Sequence, residues 1–278
     1  MSKKFPPRTG AKPPFNPTKP APQQMPRPQG QMRSPQPKPG RPTPEGLWLY
    51  GLHPVRAALA GQLRKIKKLL LTANAADQLG PTLLNSVPHE IVDGDTVSRS
   101  LPQGAVHQGV ALSCGRLPGR TLAEVLKPSE GRRVVLLLDQ VTDPHNVGAI
   151  LRSAAAFGVD AVVMQDRNAP PESGSLAKSA SGALDIVPFV SVVNLSRALD
   201  ELGEMGFLRI AMAGDGEATL KEAAAGKDIA LVLGSEGSGI RRLVREHCDT
   251  SAFVAIDPAM ESLNVSNAAA IAMYELRR

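Results

Sequence analysis

Four runs of mostly apolar residues constrain the fold of this chain more than any other feature of the sequence. They occupy residues 134–138, 161–164, 207–213 and 229–233. A strand that is buried on both faces has no polar side, so it reads as an apolar run, and this is typical of strands inside a parallel sheet. Helical patterns accompany the runs, at residues 146–157, 195–205, 220–225 and 240–248. The alternation predicts an α/β fold in which helices cover a mostly parallel sheet.

The carboxyl ends of parallel strands are where ligands bind in folds of this kind. A glycine-rich loop, GSEGSG at residues 234–239, follows the fourth run directly, and Ala213-Gly214 lies at the end of the third. The loop lacks the spacing of a dinucleotide-binding loop or a P-loop. It offers backbone amides for hydrogen bonding, with Glu236 at its tip. Alternatively, its glycines serve only a tight turn between a strand and a helix.

A second polar segment, residues 139–152, joins the first apolar run to a helix. Asp143 and Pro144 are typical of the N-cap and the first turn of a helix. Gly148 and Arg152 are four residues apart and share one face of that helix. A helical glycine costs about 1 kcal/mol relative to alanine, which favours the close approach of some group beside the arginine. The alternative is a surface arginine on an amphipathic helix.

A third polar segment, SLNVSNA at residues 262–268, precedes the last apolar stretch of the chain. We expect Ser262 and Asn264 to start a helix that runs to the C-terminal arginines. Taken alone, Ser262 is explained equally well as an ordinary N-cap.

Residues 1–45 differ sharply in composition from the rest of the chain. They contain 14 of the 25 prolines, nine Lys or Arg residues and one acidic residue, whereas residues 46–278 carry 23 basic and 25 acidic side chains. Few aliphatic side chains are present to offset the entropy of ordering, so we predict a disordered, partly polyproline basic arm. Such an arm favours polyanions through counterion release. A merely solubilising extension is the alternative.

The remaining sequence predicts two folded units. Residues 46–115 combine short strands and helices in a small α/β domain, with a helix expected at 75–86 and a last strand at 106–114. Residues 116–131 form a linker punctuated by Pro and Gly, and residues 132–278 form the larger domain. No signal peptide or membrane-spanning run is visible, so we expect a cytoplasmic protein without a membrane partner. Cys114 and Cys248 are isolated, which fits a reducing compartment and indicates no metal site.

The three polar segments together resemble the signature motifs of a known family. The patterns N-x-G-x-x-x-R at 146–152, G-x-E-x-x-G at 234–239 and S-L-N-V-S-x-A at 262–268 are similar to those of the SpoU (TrmH-like) RNA 2′-O-ribose methyltransferases. Their order and separations are also similar. In addition, residues 50–59 and 107–111 resemble the small RNA-binding domain of the RlmB-type branch, which methylates a guanosine ribose in large-subunit (23S) ribosomal RNA.

This resemblance implies a SPOUT fold for residues 132–278, a parallel sheet whose C-terminal segment threads a loop to form a trefoil knot. It implies a homodimer with active sites near the subunit interface, so that Arg152 and the bound cofactor belong to different chains. The implied methyl donor is S-adenosylmethionine, held in the knot. The implied cofactor contacts, made mainly through backbone groups, are Gly234, Leu263, Val254 and Ile256 on a nearby strand, and Ala213 and Gly214.

The resemblance also implies a role for each motif side chain. The family gives the arginine equivalent to Arg152 a central role, often as the base. A guanidinium has a pKa above about 12, so the alternative is that Arg152 grips a phosphate or the oxyanion. The residues that would position the ribose, the arginine and the loop are Asn146, Glu236, Ser262 and Asn264. The leaving thioether is neutral, so the reaction requires neither a general acid nor a metal.

One segment departs from the family pattern. Relatives usually carry an Ile-Pro-Met-x-Gly turn before the third motif, whereas residues 254–260 read VAIDPAM. An ungapped alignment places Val254 at the isoleucine that contacts the cofactor, and a gapped alignment places Ile256 there. Both residues are therefore candidates.

Three further functions compete with methylation of ribosomal RNA. A transfer-RNA methyltransferase of the same family is disfavoured by the small domain at residues 46–115. A non-catalytic RNA-binding or ribosome-assembly factor is disfavoured by the joint presence of the motif side chains. A small-molecule nucleotide enzyme is disfavoured by the basic arm and by the absence of P-loop features.

Overall fold

The computed structural model describes residues 46–85, 87–167, 169–224 and 228–277. These residues belong to one compact unit that contains two sheets. The predicted arm at residues 1–45 lies outside the described residues. None of the helices in the described ranges combines the length and the apolar character that a bilayer crossing demands.

The first sheet has four strands. They are β1 (Leu47–Tyr50), β2 (Ile66–Leu71), β3 (His89–Ile91) and β4 (Val110–Cys114). Their order is β1-β4-β2-β3, with β4 antiparallel to both of its neighbours and β2 parallel to β3. The helices that connect them are α1 (Leu52–Gly61), α2 (Ala73–Leu79), α3 (Pro81–Leu84) and α4 (Gly94–Arg99).

The second sheet has seven strands, and each pair of neighbours is parallel. The strands are β5 (Val134–Asp139), β6 (Ala161–Gln165), β7 (Phe189–Val192), β8 (Leu208–Met212), β9 (Ala218–Thr219), β10 (Ile229–Gly234) and β11 (Thr250–Phe253). Their order is β7-β6-β5-β10-β8-β11-β9. This agrees with the predicted α/β class and its parallel sheet.

Helices accompany the second sheet along the chain. They are α5 (Leu122–Val125), α6 (Pro144–Ala156), α7 (Gly174–Ser179), α8 (Leu195–Glu204), α9 (Leu220–Ala223), α10 (Arg242–Arg245) and α11 (Val265–Arg277), with a short 3-10 helix at Ala183–Asp185. The segment expected to be a linker contains α5, whose Leu122 is buried beneath the second sheet.

Strand β5 shows why the apolar runs predict this architecture. Successive side chains of a strand point to opposite faces. Val134, Leu136 and Leu138 join the core that α6 and α11 also enter. Val135 and Leu137 join a separate core formed with α5 and α8. Because both faces are covered, every residue of the strand is buried.

A buried ion cluster joins the first sheet to the second part of the chain. The Arg64 guanidinium donates to Asp185 through Nε at 2.5 Å and Nη2 at 3.0 Å. It also pairs with Glu172 and donates to the carbonyl oxygen of Gly115. Burial alone would lower the pKa of Arg64, but pairing with the carboxylates of Asp185 and Glu172 outweighs it and raises that pKa above its ordinary value. The guanidinium therefore stays charged in the interior.

Two expectations for the first sheet are wrong in their boundaries. The helix expected at residues 75–86 is divided into α2 and α3, because Gly80 has a φ of +85° and Pro81 starts the second helix. The strand expected at 106–114 begins only at Val110. Gln108 and Gly109 precede it with φ values of +54° and +78°, which a strand does not accommodate.

Two expectations for the second sheet also need correction. The strand expected around Val254 and Ile256 is wrong, because β11 ends at Phe253, which pairs with Thr219 at the end of β9. The helix expected at 240–248 is reduced to the single turn α10, since the backbone N–H of Arg241 is bonded to Asp139 on β5. Strands β7 and β9 and helix α4 are additional elements whose short, mixed sequences give no clear pattern.

Candidate active site

Neighbouring strands of the second sheet end side by side in the order β5-β10-β8-β11. Asp139 ends β5 opposite Gly234, which ends β10. Ala213 follows β8 and donates its N–H to the carbonyl oxygen of Ala252 at 2.9 Å. Val254 follows β11. The fold therefore brings Gly234, Ala213 and Val254, three of the predicted cofactor contacts, to adjacent positions on one edge.

The glycine-rich loop after β10 folds back on itself. The N–H of Gly239 donates to the carbonyl oxygen of Ser235 at 3.0 Å, and the hydroxyls of Ser235 and Ser238 lie 2.6 Å apart. A Cβ added at Gly234 would lie 2.2 Å from the carbonyl carbon of Gly239. Glycine is therefore required at residue 234 for a tight turn, and the turn presents Glu236 at an exposed tip.

One carboxylate oxygen of Glu236 links all three motifs. Its Oε1 accepts a hydrogen bond from Asn146 Nδ2 at 3.0 Å and from Asn264 Nδ2 at 2.6 Å. The backbone N–H of Val265 lies 3.4 Å from the same oxygen. Asn264 Nδ2 also donates to Asn146 Oδ1 at 3.1 Å. We call Asn146, Glu236 and Asn264 the polar triad.

Helix caps fix two members of the polar triad. The Asp143 side chain accepts the N–H of His145 and caps α6, which places Asn146 in the first turn, as the sequence predicts. Asn264 Oδ1 accepts the N–H of Ser266 at 2.9 Å, so its amide nitrogen is directed toward Glu236. Asn264, one residue before α11, therefore holds the capping position considered for Ser262.

An ion pair between a buried carboxylate and a partly exposed arginine anchors the glycine-rich loop, and sequence reasoning missed it. The fully buried carboxylate of Asp139 accepts the backbone N–H and Nε of Arg241, each at 2.8 Å. Arg241 also donates to Gln165 Oε1 at 3.0 Å. The signals available in the sequence were an acidic residue at a strand end and an arginine just after the glycines.

The remaining predicted catalytic residues lie outside the polar triad. Arg152 is exposed on α6, six residues after Asn146, which is about 9 Å along the helix axis. Within the described ranges its guanidinium has neither a hydrogen-bond nor an ion-pair partner. Ser262 is exposed in the loop before α11. The fold thus brings Asn146, Glu236 and Asn264 into contact and leaves Arg152 and Ser262 directed to solvent.

The close approach expected at Gly148 is made by the protein itself. A Cβ added there would lie 2.5 Å from Ser179 Cβ and 2.9 Å from the Ala180 nitrogen. Ser179 Oγ also donates to the carbonyl oxygen of His145. Gly148 is therefore buried under α7, whereas Arg152, one turn later on α6, is exposed.

The strand edge suits a nucleoside bound largely through the backbone. Gly214 is exposed with open space where a Cβ would stand. Val254 and Leu263 are half-buried apolar side chains, whereas Ile256 is more exposed, at 37 %. These residues fit S-adenosylmethionine, which combines an adenine face with polar groups. The described residues contain no cluster of His, Cys, Asp or Glu that could hold a metal ion.

Comparison with known proteins identifies the class that this fold and this site define. Residues 133–274 match the SpoU rRNA Methylase family, and residues 48–118 match the RNA 2′-O ribose methyltransferase substrate-binding family. The chain therefore belongs to the SpoU rRNA methylase family and is an RNA 2′-O-ribose methyltransferase. The methyl donor of this family is S-adenosylmethionine.

Two relatives are similar along most of their length. The 23S rRNA (guanosine-2′-O-)-methyltransferase RlmB of Coxiella burnetii is 38% identical over 236 residues, which are 83% of this chain and 94% of that protein. The protein of the same name from Pseudomonas aeruginosa is 37% identical over 236 residues, which are 83% of this chain and 95% of the Pseudomonas protein.

Solved structures show the same fold. The SpoU methyltransferase AviRb from Streptomyces viridochromogenes, in complex with S-adenosylmethionine, has a TM-score of 0.71 at 22% identity and covers 83% of this chain and 89% of its own. An S-adenosylmethionine-bound rRNA methyltransferase from Sinorhizobium meliloti has a TM-score of 0.69 at 22% identity. The match covers 84% of this chain and 87% of the Sinorhizobium chain.

Proposed function

We propose that this chain methylates the ribose 2′-hydroxyl of a guanosine in 23S ribosomal RNA. The observation that carries the proposal is the polar triad, in which Glu236 joins Asn146 of the first motif to Asn264 of the third. The RlmB relatives, which align over nearly their whole length, support the choice of RNA and nucleotide. Such an enzyme works where ribosomes are assembled, so we place it in the cytoplasm.

The residues at the strand edge would hold the methyl donor. They are Gly234, Ala213, Gly214, Val254 and Leu263, with Ile256 as the alternative to Val254. When bound, S-adenosylmethionine supplies an electrophilic methyl group and leaves as a neutral thioether. The protein then has two tasks, to orient the ribose hydroxyl and to accommodate its proton. Glu236 and the two asparagines serve the first task, because their mutual hydrogen bonds hold the three motifs in one arrangement before substrate arrives.

Arg152 acts as an anion clamp and not as the base. Arg152 is exposed and has no carboxylate partner among the described residues, so its guanidinium is available to an anion. Such a group binds a phosphate or a developing oxyanion with planar, bidentate hydrogen bonds. The proton of the 2′-hydroxyl passes to the adjacent phosphate and from there to solvent. Ser262, exposed in the loop before α11, would contact the ribose beside it.

Further features of the family are proposed for this chain as well. One is the trefoil knot at the strand edge, and another is a homodimer. We also propose a division into an arm (1–45), a substrate-binding domain (46–115), a linker (116–131) and a methyltransferase domain (132–278). The homodimer is supported by α11, which packs on α6 and exposes Ile271 and Tyr274. In such a dimer Arg152 would serve a cofactor bound by the partner.

Substitution of Arg152 tests the reaction directly. With labelled S-adenosylmethionine and 23S ribosomal RNA, Arg152→Ala should reduce methyl transfer at least a hundredfold, because a charge-assisted contact in the transition state is lost. Arg152→Lys should recover part of the rate, since a clamp requires the positive charge. The matched control is Arg197→Ala, an exposed arginine on α8, whose helix packs on the opposite face of the second sheet.

The outcomes separate the alternatives. If the unaltered protein binds the RNA but transfers no label at saturating cofactor, it is not a methyltransferase for that RNA. Label found only on transfer RNA would replace the proposed substrate. Mapping by primer extension on RNA from a deletion strain identifies the nucleotide.

A further inference from the structure

A lysine between the first sheet and α6 has no acidic partner. The Lys178 ammonium donates to Gln108 Oε1 at 2.6 Å. Throughout the described ranges, no carboxylate lies within ion-pair distance of it. Burial lowers the pKa of Lys178, and no nearby acidic group offsets this. A positive charge is thus held partly out of water with only a neutral amide to compensate it.

The surroundings of Lys178 come from three segments of the first sheet. A Cβ added at Gly51, which follows β1, would lie 2.7 Å from the Lys178 ammonium, so the end of the lysine lies directly against the backbone there. Gln108 Oε1 also accepts the N–H of Leu52, at the start of α1, at 3.3 Å. Gln108 itself has a φ of +54°. Its oxygen is fully used, which leaves its amide NH2 as an additional donor beside the ammonium.

Lys178 also lies close to the catalytic helix. Its neighbour in sequence, Ser179, contacts Gly148 on α6, one turn before Arg152. Helix α7 therefore touches β1 on one side and α6 on the other. Helix α7 thus lies between the first sheet and the helix that carries Arg152.

We propose that Lys178, together with the Gln108 amide, binds a backbone phosphate of the RNA on its path from the first sheet to Arg152. The proposal rests on the proposed function for its ligand. A phosphate supplies the missing negative charge and accepts hydrogen bonds from both side chains. The contact is independent of base sequence, so it sets the register of the strand at the active site.

The test is equilibrium binding of the full chain to a 23S ribosomal RNA transcript over a range of KCl concentrations. Lys178→Met keeps the aliphatic stem and removes the charge. We expect the Kd to rise about tenfold at 0.1 M salt, since a charge-assisted hydrogen bond is lost. The slope of log Kd against log salt should fall by about 0.7 to 0.9, the value for one phosphate contact.

Two further variants complete the experiment. Lys127→Met removes an exposed lysine that follows α5, whose buried side chains enter the core on the opposite face of the second sheet, and it should leave both quantities unchanged. Lys178→Arg retains the charge and should restore most of the slope. If Lys178→Met does not fold, as judged by circular dichroism, Lys178→Gln takes its place, because a glutamine preserves a hydrogen bond to Gln108.

The readouts separate the site from the reaction. An unchanged salt slope in a folded Lys178 variant would overturn the proposal, even with a weaker Kd, because it would show that the lysine only joins the two sheets. Methyl transfer by the unaltered protein is measured on the same transcript. If the salt slope falls in Lys178→Met but the unaltered protein transfers no methyl group, the phosphate contact stands and only the proposed reaction is refuted.

Discussion

At the scale of single residues, Asp139 controls where the glycine-rich loop returns to the sheet. Its buried carboxylate accepts both the backbone N–H and the guanidinium of Arg241. Arg241 stands two residues after the loop that carries Glu236. Loss of Arg241 would be costly, because the buried carboxylate of Asp139 would keep an uncompensated charge. The pair therefore acts on Glu236 at a distance, through the backbone of the loop.

Asp139→Asn tests this positioning role. We expect kcat for methyl transfer to fall about 10- to 100-fold with a smaller change in the RNA KM, because the misplaced carboxylate of Glu236 lowers transition-state stabilisation. The informative measurement is a double-mutant cycle with Glu236→Gln, in which the two effects on kcat should not add. Additive effects would mean that Asp139 contributes to stability alone.

Sequence reasoning reaches some of these residues and misses others for a physical reason. The resemblance to the family's motifs indicates Asn146, Glu236 and Asn264, and the structure brings them into hydrogen-bonding contact. The motifs do not include Arg241, because its role depends on its ion pair with Asp139, which lies 102 residues earlier in the chain. A contact at that separation leaves no local pattern to detect.

At the scale of secondary-structure elements, α7 connects the parts of the molecule that must cooperate. It contacts β1 of the first sheet and α6 of the second part. Gly148 permits this, because α6 approaches Ser179 and Ala180 more closely than any Cβ would allow. The sequence indicated a close approach at Gly148 but not its source, since the segment before β7 gave no clear helical pattern.

Gly148→Ala should show the importance of this approach. Alanine normally stabilises a helix by about 1 kcal/mol relative to glycine. Here we expect a net loss of about 1 to 3 kcal/mol in the free energy of unfolding, because the new methyl group overpacks against Ser179. Urea denaturation measures this loss. The control is Gly119→Ala, where a Cβ meets open space. A stabilised Gly148→Ala protein would show that α7 moves aside freely.

At the scale of the whole molecule, charge is divided between the arm and the rest of the chain. Residues 1–45 hold nine basic side chains and one acidic, whereas residues 46–278 hold 23 basic and 25 acidic. The composition therefore predicts that long-range attraction to RNA comes chiefly from residues 1–45, and we propose that local contacts come from Arg152 and Lys178. The two contributions depend differently on salt.

Deletion of residues 1–45 should weaken RNA binding and flatten its salt dependence, because several phosphate contacts are removed together. Methyl transfer at saturating RNA should persist, since the polar triad is retained. Binding isotherms at several KCl concentrations, with Kd plotted against salt, measure the effect. An unchanged slope would indicate that the arm serves solubility alone.

The architecture was predictable where it depends on local pattern. The apolar runs led directly to β5, β6, β8 and β10, because a strand covered on both faces needs no polar side. The strand order and the placement of the first sheet were not predictable. They follow from pairings between distant segments, such as the insertion of β10 between β5 and β8. The periodicity of apolar residues does not encode which strands pair.

The ion cluster of Arg64, Asp185 and Glu172 has a consequence for how such proteins diversify. One member lies in the substrate-binding match and two lie in the methylase match. A chimaera that takes its RNA-recognition half from another lineage inherits only part of the set, and a lone charge inside the protein costs about 3 to 5 kcal/mol. We therefore expect a substrate-binding segment from another lineage to be accepted only where it brings an arginine to the place of Arg64, or where all three residues are replaced together.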